Sequence, residues 1–126
     1  MRTFTADSKA SPGAAWELLA RPDAWSAWAP HVRGAWGLGS PEVREGAFGF
    51  ARLLGVILVP AKITAKDDAS WTWRVGPIKL VHRVVPRERG CTVAIDLRAP
   101  GSLEPALAAI YGPVIQSTLD RLARVA

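Results

Sequence analysis

The sequence predicts an α+β domain. It has one antiparallel sheet of seven strands, two short helices after the first strand, and a long C-terminal helix covering the sheet. Three observations carry that reading. Short segments of alternating apolar and polar residues recur, separated by Gly, Pro and Asp turns, as in an antiparallel meander. A helix start at Ser11-Pro12 interrupts the series after its first member. From Ser102 onward apolar residues recur at spacings of three and four.

Arg2 to Ala10 reads as the first strand, with Phe4, Ala6 and Ser8 on one face. Ser11 caps the next helix, and Pro12 suits its first position because the N–H it lacks would be unpaired there. Trp16, Leu19 and Ala20 share one face of that helix. A second start follows at Arg21-Pro22-Asp23; this helix carries Trp25 and Trp28 and stops at Pro30. Strands then follow at Val32–Leu38, Ala47–Leu54, Leu58–Lys66, Ser70–Val75, Ile78–Val85 and Cys91–Arg98. Between them lie turn signals such as Gly39-Ser40-Pro41, Gly76-Pro77 and Pro86 to Gly90. The final helix runs from Ser102 to Arg124. Its stripe is Leu103, Leu107, Ile110, Tyr111, Val114, Thr118 and Leu122, with Val125 just beyond, and Gly112-Pro113 inside it predicts a kink near Ala109.

At 126 residues the chain makes one domain, 1–126, and 49% apolar content fits a folded core rather than disorder. The longest apolar run, Leu53 to Ala61, is far short of the ~20 residues that span a bilayer. The N-terminus has no apolar signal-peptide core, and a single cysteine leaves no internal disulfide, so a cytoplasmic protein is expected. Two histidines and that cysteine lie far apart, which predicts no metal site and no cofactor. The net charge of +5 invites an anionic partner, but the basic residues form no run.

Alternation assigns the faces. Val32, Gly34, Trp36 and Leu38 are expected inward. So are Phe48, Phe50 and Arg52, and Val59, Ala61, Ile63 and Ala65. Trp71, Trp73 and Val75 follow, then Ile78, Leu80, His82 and Val84, then Val93, Ile95 and Leu97. The outer face gathers Lys62, Lys66, Arg74, Lys79, Arg83 and Arg98 against Asp96, with no aromatic among them to stack bases.

Two segments resemble a known superfamily. Ser11-Pro12-Gly13-Ala14-Ala15-Trp16-Glu17-Leu18-Leu19 is similar to its small-Pro-x-x-x-Trp-x-Leu-Leu pattern. Trp25-Ser26-Ala27-Trp28-Ala29-Pro30-His31-Val32 is similar to its Trp-x-x-Trp-x-Pro-x-Val pattern. The superfamily is the START-like SRPBCC group, which has the helix-grip fold of the birch-pollen allergen, and the helix around Tyr111-Gly112 resembles its polyketide cyclase/dehydrase-like branch. The resemblance covers the whole chain and implies a sheet curved around the C-terminal helix, enclosing a cavity. Alternation alone would equally allow a filled core.

That cavity sets the candidate site: Trp36, Phe50, Arg52, Trp73, His82, Ile95 and Tyr111. An inward imidazole can orient a ligand or move a proton, or simply sit hydrogen-bonded in a core. Arg52 is a cation at the cavity mouth or a strand-end side chain reaching water. Tyr111 offers a hydroxyl to a ligand oxygen or packs as a core aromatic. His31 is read as a turn-exit residue and Cys91 as an inert thiol. No Gly-x-Ser-x-Gly, phosphate-binding glycine loop or inward carboxylate pair is present. Three functions stay open. The first is binding of a small hydrophobic, lipid-, polyketide- or quinone-like molecule. The second is a cyclase or dehydratase using His82 as catalytic residue. The third is an interaction module meeting an anionic partner through the basic outer face. Nucleic acid is not expected, a homodimer stays open, and whether any reaction is catalysed is left undecided.

Overall fold

The computed structural model describes the backbone of residues 1–29, 32–53 and 57–126, and the side chains within them except those of 32–34, 51–53 and 57–58. Seven strands form one antiparallel sheet: β1 Arg2–Ser8, β2 Val32–Trp36, β3 Phe48–Leu53, β4 Ile57–Lys66, β5 Ser70–Val75, β6 Ile78–Pro86 and β7 Cys91–Arg98. Their order across the sheet is β1-β7-β6-β5-β4-β3-β2. Helix α1, Pro12–Ala20, follows β1, and helix α2, Leu103–Val125, closes the chain. This is the α+β helix-grip arrangement expected.

Helix α1 begins as its sequence predicts, with Ser11 Oγ accepting from the Ala14 N–H at 3.2 Å. The second helix is a 3-10 segment, Pro22–Ala27. The pair is fixed by indoles. The last carbonyls of a helix have no partner within it. Trp25 and Trp71 both donate Nε1–H to the Leu19 carbonyl, at 2.9 and 3.2 Å, and Trp28 donates to Leu18 at 2.8 Å. The end of α1 is thereby tied to the 3-10 segment and to the middle of the sheet.

Helix α2 packs on β1 and β7 and touches α1. Leu119 and Leu122 are fully buried there. Gly112 lets the helix lie on Phe4, whose ring a Cβ would approach to 3.1 Å. The Ser8 hydroxyl donates to the Ala123 carbonyl at 2.9 Å, and Gln116 Nε2 donates to the Thr5 carbonyl at 2.8 Å. The helix is continuous through Pro113.

The faces of β4 to β7 follow the alternation up to Ile63. A bulge between Ile63 and Ala65 then breaks the register, and Ala65 is exposed. The expectation for β2 and β3 is corrected. Trp36 pairs with Phe50, and Phe50 with the exposed Pro60; Phe48 pairs with Lys62, which pairs with Arg74. Trp36, Phe48 and Phe50 therefore lie on the outer face, 47%, 61% and 45% exposed. Small residues take the inner side instead: Ala35 and Ala47 are half-buried and Gly49 is buried. The reason is space. Beneath this corner the fully buried Val43 and the nearly buried Leu38 already fill the interior, and the 3-10 segment packs against β2. Gly37, at φ +76°, ends the alternation, so Leu38 turns inward although it shares parity with Trp36.

Candidate functional site: a cavity between the sheet and α2

Helix α2 covers one end of the sheet and leaves a cavity of about 230 Å³ against the rest. Trp71, Trp73, Leu80, His82 and Ile95 form its sheet wall, and Trp25 of the 3-10 segment and Trp28 at its C-terminal cap close it. Leu107, Tyr111, Val114, Ile115 and Thr118 of α2 face them. Tyr111 and Val114 are 49% and 38% exposed, so the cavity opens beside α2. That explains why the apolar stripe of α2 is buried in its C-terminal half and exposed in its middle.

The aromatic wall is ordered by stacking. Trp71 lies between two parallel rings, Trp25 at 5.3 Å and His82 at 3.8 Å, each with an interplanar angle of 9°. Trp73 stands edge-on to all three, at 5.6 to 6.0 Å. Such edge-to-face contacts suit the ring quadrupole. The cluster gives the cavity a flat aromatic wall.

Two polar atoms in that wall are unsatisfied. Trp73 Nε1 and His82 Nδ1 are buried with no hydrogen-bond partner. The contrast is internal, because the other three cavity indoles all donate to α1 carbonyls. Burial pushes the His82 pKa from 6.5 down to about 3, against backbone groups of Trp71 and Leu80 and the negative charge of Asp96. The imidazole is neutral at physiological pH. Thr118, the remaining buried polar residue in the wall, donates its hydroxyl to the Ile115 carbonyl at 2.8 Å.

Of the residues expected from the sequence, Trp73, His82, Ile95 and Tyr111 come together in the wall. Trp36 and Phe50 do not line it, for the reason of register given above. Arg52 sits in β3 opposite Gly34 and Leu58, but its side chain lies outside the described residues, as does His31. Cys91 is buried, and desolvation raises its pKa, with the Asp7 charge acting in the same direction. Among the described residues, two cations, Arg121 and Arg124, lie beside the cavity. They line a second hollow that shares Trp28, Val114 and Thr118 with the first. Alternation could not show this, because it comes from the angle at which α2 crosses the sheet.

The family described as "Polyketide cyclase / dehydrase and lipid transport" matches residues 2–126. The chain belongs to this family. Solved structures repeat the fold at low identity. Protein SSP2350 from Staphylococcus saprophyticus superposes with a TM-score of 0.78 at 10% identity, covering 96% of this chain and 87% of that one. The KanY protein gives 0.73 at 13% identity, covering 98% and 94%. DynU16, from the dynemicin biosynthetic locus, gives 0.71 at 16% identity, and 97% of this chain matches only 45% of DynU16. No curated protein matches the sequence. Among the described residues, no helix is long and apolar enough to cross a membrane.

Proposed function

We propose that the cavity binds a small, flat, largely apolar molecule carrying at least one hydrogen-bonding oxygen. The observation that carries this is the pair of unsatisfied polar atoms, Trp73 Nε1 and His82 Nδ1, in an otherwise apolar aromatic wall. An indole N–H can only donate, so Trp73 calls for an acceptor; a neutral imidazole nitrogen donates or accepts. A buried polar atom left unpaired costs about 1–3 kcal/mol. A carbonyl or hydroxyl on the ligand recovers that, and a plain hydrocarbon does not. Ligand pockets usually run to ~300–1,000 Å³. At about 230 Å³ this one takes a ligand of one or two rings, or the head of a longer molecule that leaves past Tyr111.

Quenching of tryptophan emission by naphthol and by naphthalene tests the reading. Trp73→Phe is expected to lower the ratio of naphthol to naphthalene affinity about tenfold, the worth of one well-placed hydrogen bond. His82→Leu acts in the same direction. An unchanged ratio in both variants, or quenching that never saturates, would falsify the proposal. Native mass spectrometry of the purified protein shows what co-purifies.

A cyclase or dehydratase with His82 as its proton-transfer group is the second reading, and the family description favours it. Against it stands the His82 pKa of about 3. A general base works best with a pKa near the operating pH. His82 is better suited to orienting an oxygen than to abstracting a proton.

A further inference from the structure

The register that moves Trp36 and Phe50 out of the cavity gives the outer face a composition that alternation alone does not show. One cross-strand row runs Phe48–Lys62–Arg74–Lys79–Arg98 across β3, β4, β5, β6 and β7. At about 4.8 Å between strands, the four cations lie within ~14 Å. Like charges directly opposite one another destabilise a sheet. No ion pair joins any of the four to a carboxylate among the described residues. Two acids on this face are occupied elsewhere: Asp96 by Arg83 at 2.9 and 3.0 Å and Thr3 at 2.8 Å, and Asp7 by Arg87 and Thr92, each at 2.7 Å. The adjoining row, Trp36–Phe50–Pro60, is apolar and exposed, and the Phe48 and Phe50 rings meet edge to face at 6.0 Å.

We propose that this face docks on an anionic lipid bilayer, the aromatic corner entering the interface and the cation row lying on the headgroups. Aromatic rings favour the boundary between water and acyl chains, and each Lys or Arg near an anionic surface adds about 1 kcal/mol. The aromatics sit together at one end of the row and the four cations run on from Phe48, so the two features adjoin without interleaving. A single-stranded nucleic acid would want cations interleaved with rings whose faces are free for successive bases. Here the two phenyl rings are turned 77° to each other at one end of the row, where Phe48 abuts Lys62, and none stands between the four cations. A second copy related by a two-fold axis through the row would set the same four cations against each other. The proposal uses the face opposite the cavity and does not depend on what the cavity binds.

Co-sedimentation with vesicles tests it. The chain is expected to sediment with vesicles of phosphatidylcholine and phosphatidylserine, and far less with phosphatidylcholine alone. Lys62→Gln and Lys79→Gln should each weaken binding to the mixed vesicles about fivefold, and added salt should weaken it further. Phe48→Ser combined with Phe50→Ser should reduce binding at every salt concentration. All four side chains are exposed, so melting temperatures should stay at the wild-type value. Equal sedimentation with neutral and mixed vesicles overturns the proposal, and so do variants that bind as the wild type does. It also fails if mixed vesicles are not bound while a thymidine oligonucleotide is, or while the chain forms a dimer that the double variant breaks. Those results would give the face to a nucleic acid or to a second copy.

Discussion

Acidification from pH 7.5 to 5.5 should destabilise this protein through His82, the histidine among the described residues. Its pKa is about 3 in the folded chain and 6.5 in the unfolded chain. Between those values the unfolded state binds a proton that the folded state refuses, so stability is full above pH 6.5 and falls as the pH drops toward 3. With these two values, linkage gives a loss of about 1.4 kcal/mol at pH 5.5. For a chain of this size that lowers the melting temperature by roughly 5 °C. The window is clean on the acidic side. Asp7, Asp67, Asp96 and Glu104 have lowered pKa values, from ordinary values of 3.8 and 4.5, so their stabilisation is lost only as the pH falls below about 5. Calorimetric melting at the two pH values provides the assay, with His82→Phe as control. The phenyl ring keeps a flat partner for Trp71 and removes the titration. The reasoning is refuted if wild type melts alike at both pH values, or if His82→Phe retains the full shift.

Three further outcomes follow from local geometry. Gly49→Ala should cost at least about 2 kcal/mol, because its Cβ would meet the Trp36 carbonyl oxygen at 1.8 Å and backbone cannot step aside; denaturant unfolding measures it. Leu119→Ala removes a fully buried side chain where α2 meets the sheet and should cost about 2–5 kcal/mol by the same measurement. Ser11→Ala removes the α1 cap and should cost about 1 kcal/mol; an unchanged denaturation midpoint would show that the indoles alone hold α1.

Most of the fold was legible in the sequence because its signals are local. Ser11-Pro12 starts α1, and the Trp71/Trp73 and Val93/Ile95/Leu97 alternations fix β5 and β7. The candidate site was legible where strand parity places Trp73, His82 and Ile95 in the wall and where helical spacing places Tyr111 there. It failed at Trp36 and Phe50. Alternation says which residues share a face but not which face is inner, and greater apolarity is the usual guide. At this corner the guide fails, because the inner volume is taken by Leu38 and Val43, supplied by the segment between β2 and β3. The aromatics were left for the outside, and only tertiary packing records it.

The same competition for interior space accounts for the cavity. Three of the four indoles around it point their N–H groups at the end of α1, which satisfies carbonyls that the helix cannot satisfy itself. Those bonds hold rigid rings upright between the sheet and α2, while Leu119 and Leu122 anchor the helix at the other end. The 3-10 segment also meets α2 near its C-terminal end, where Arg121 Nε donates to the Ala27 carbonyl at 2.9 Å. Trp73 Nε1 is buried and is the one indole nitrogen of the four left without an acceptor.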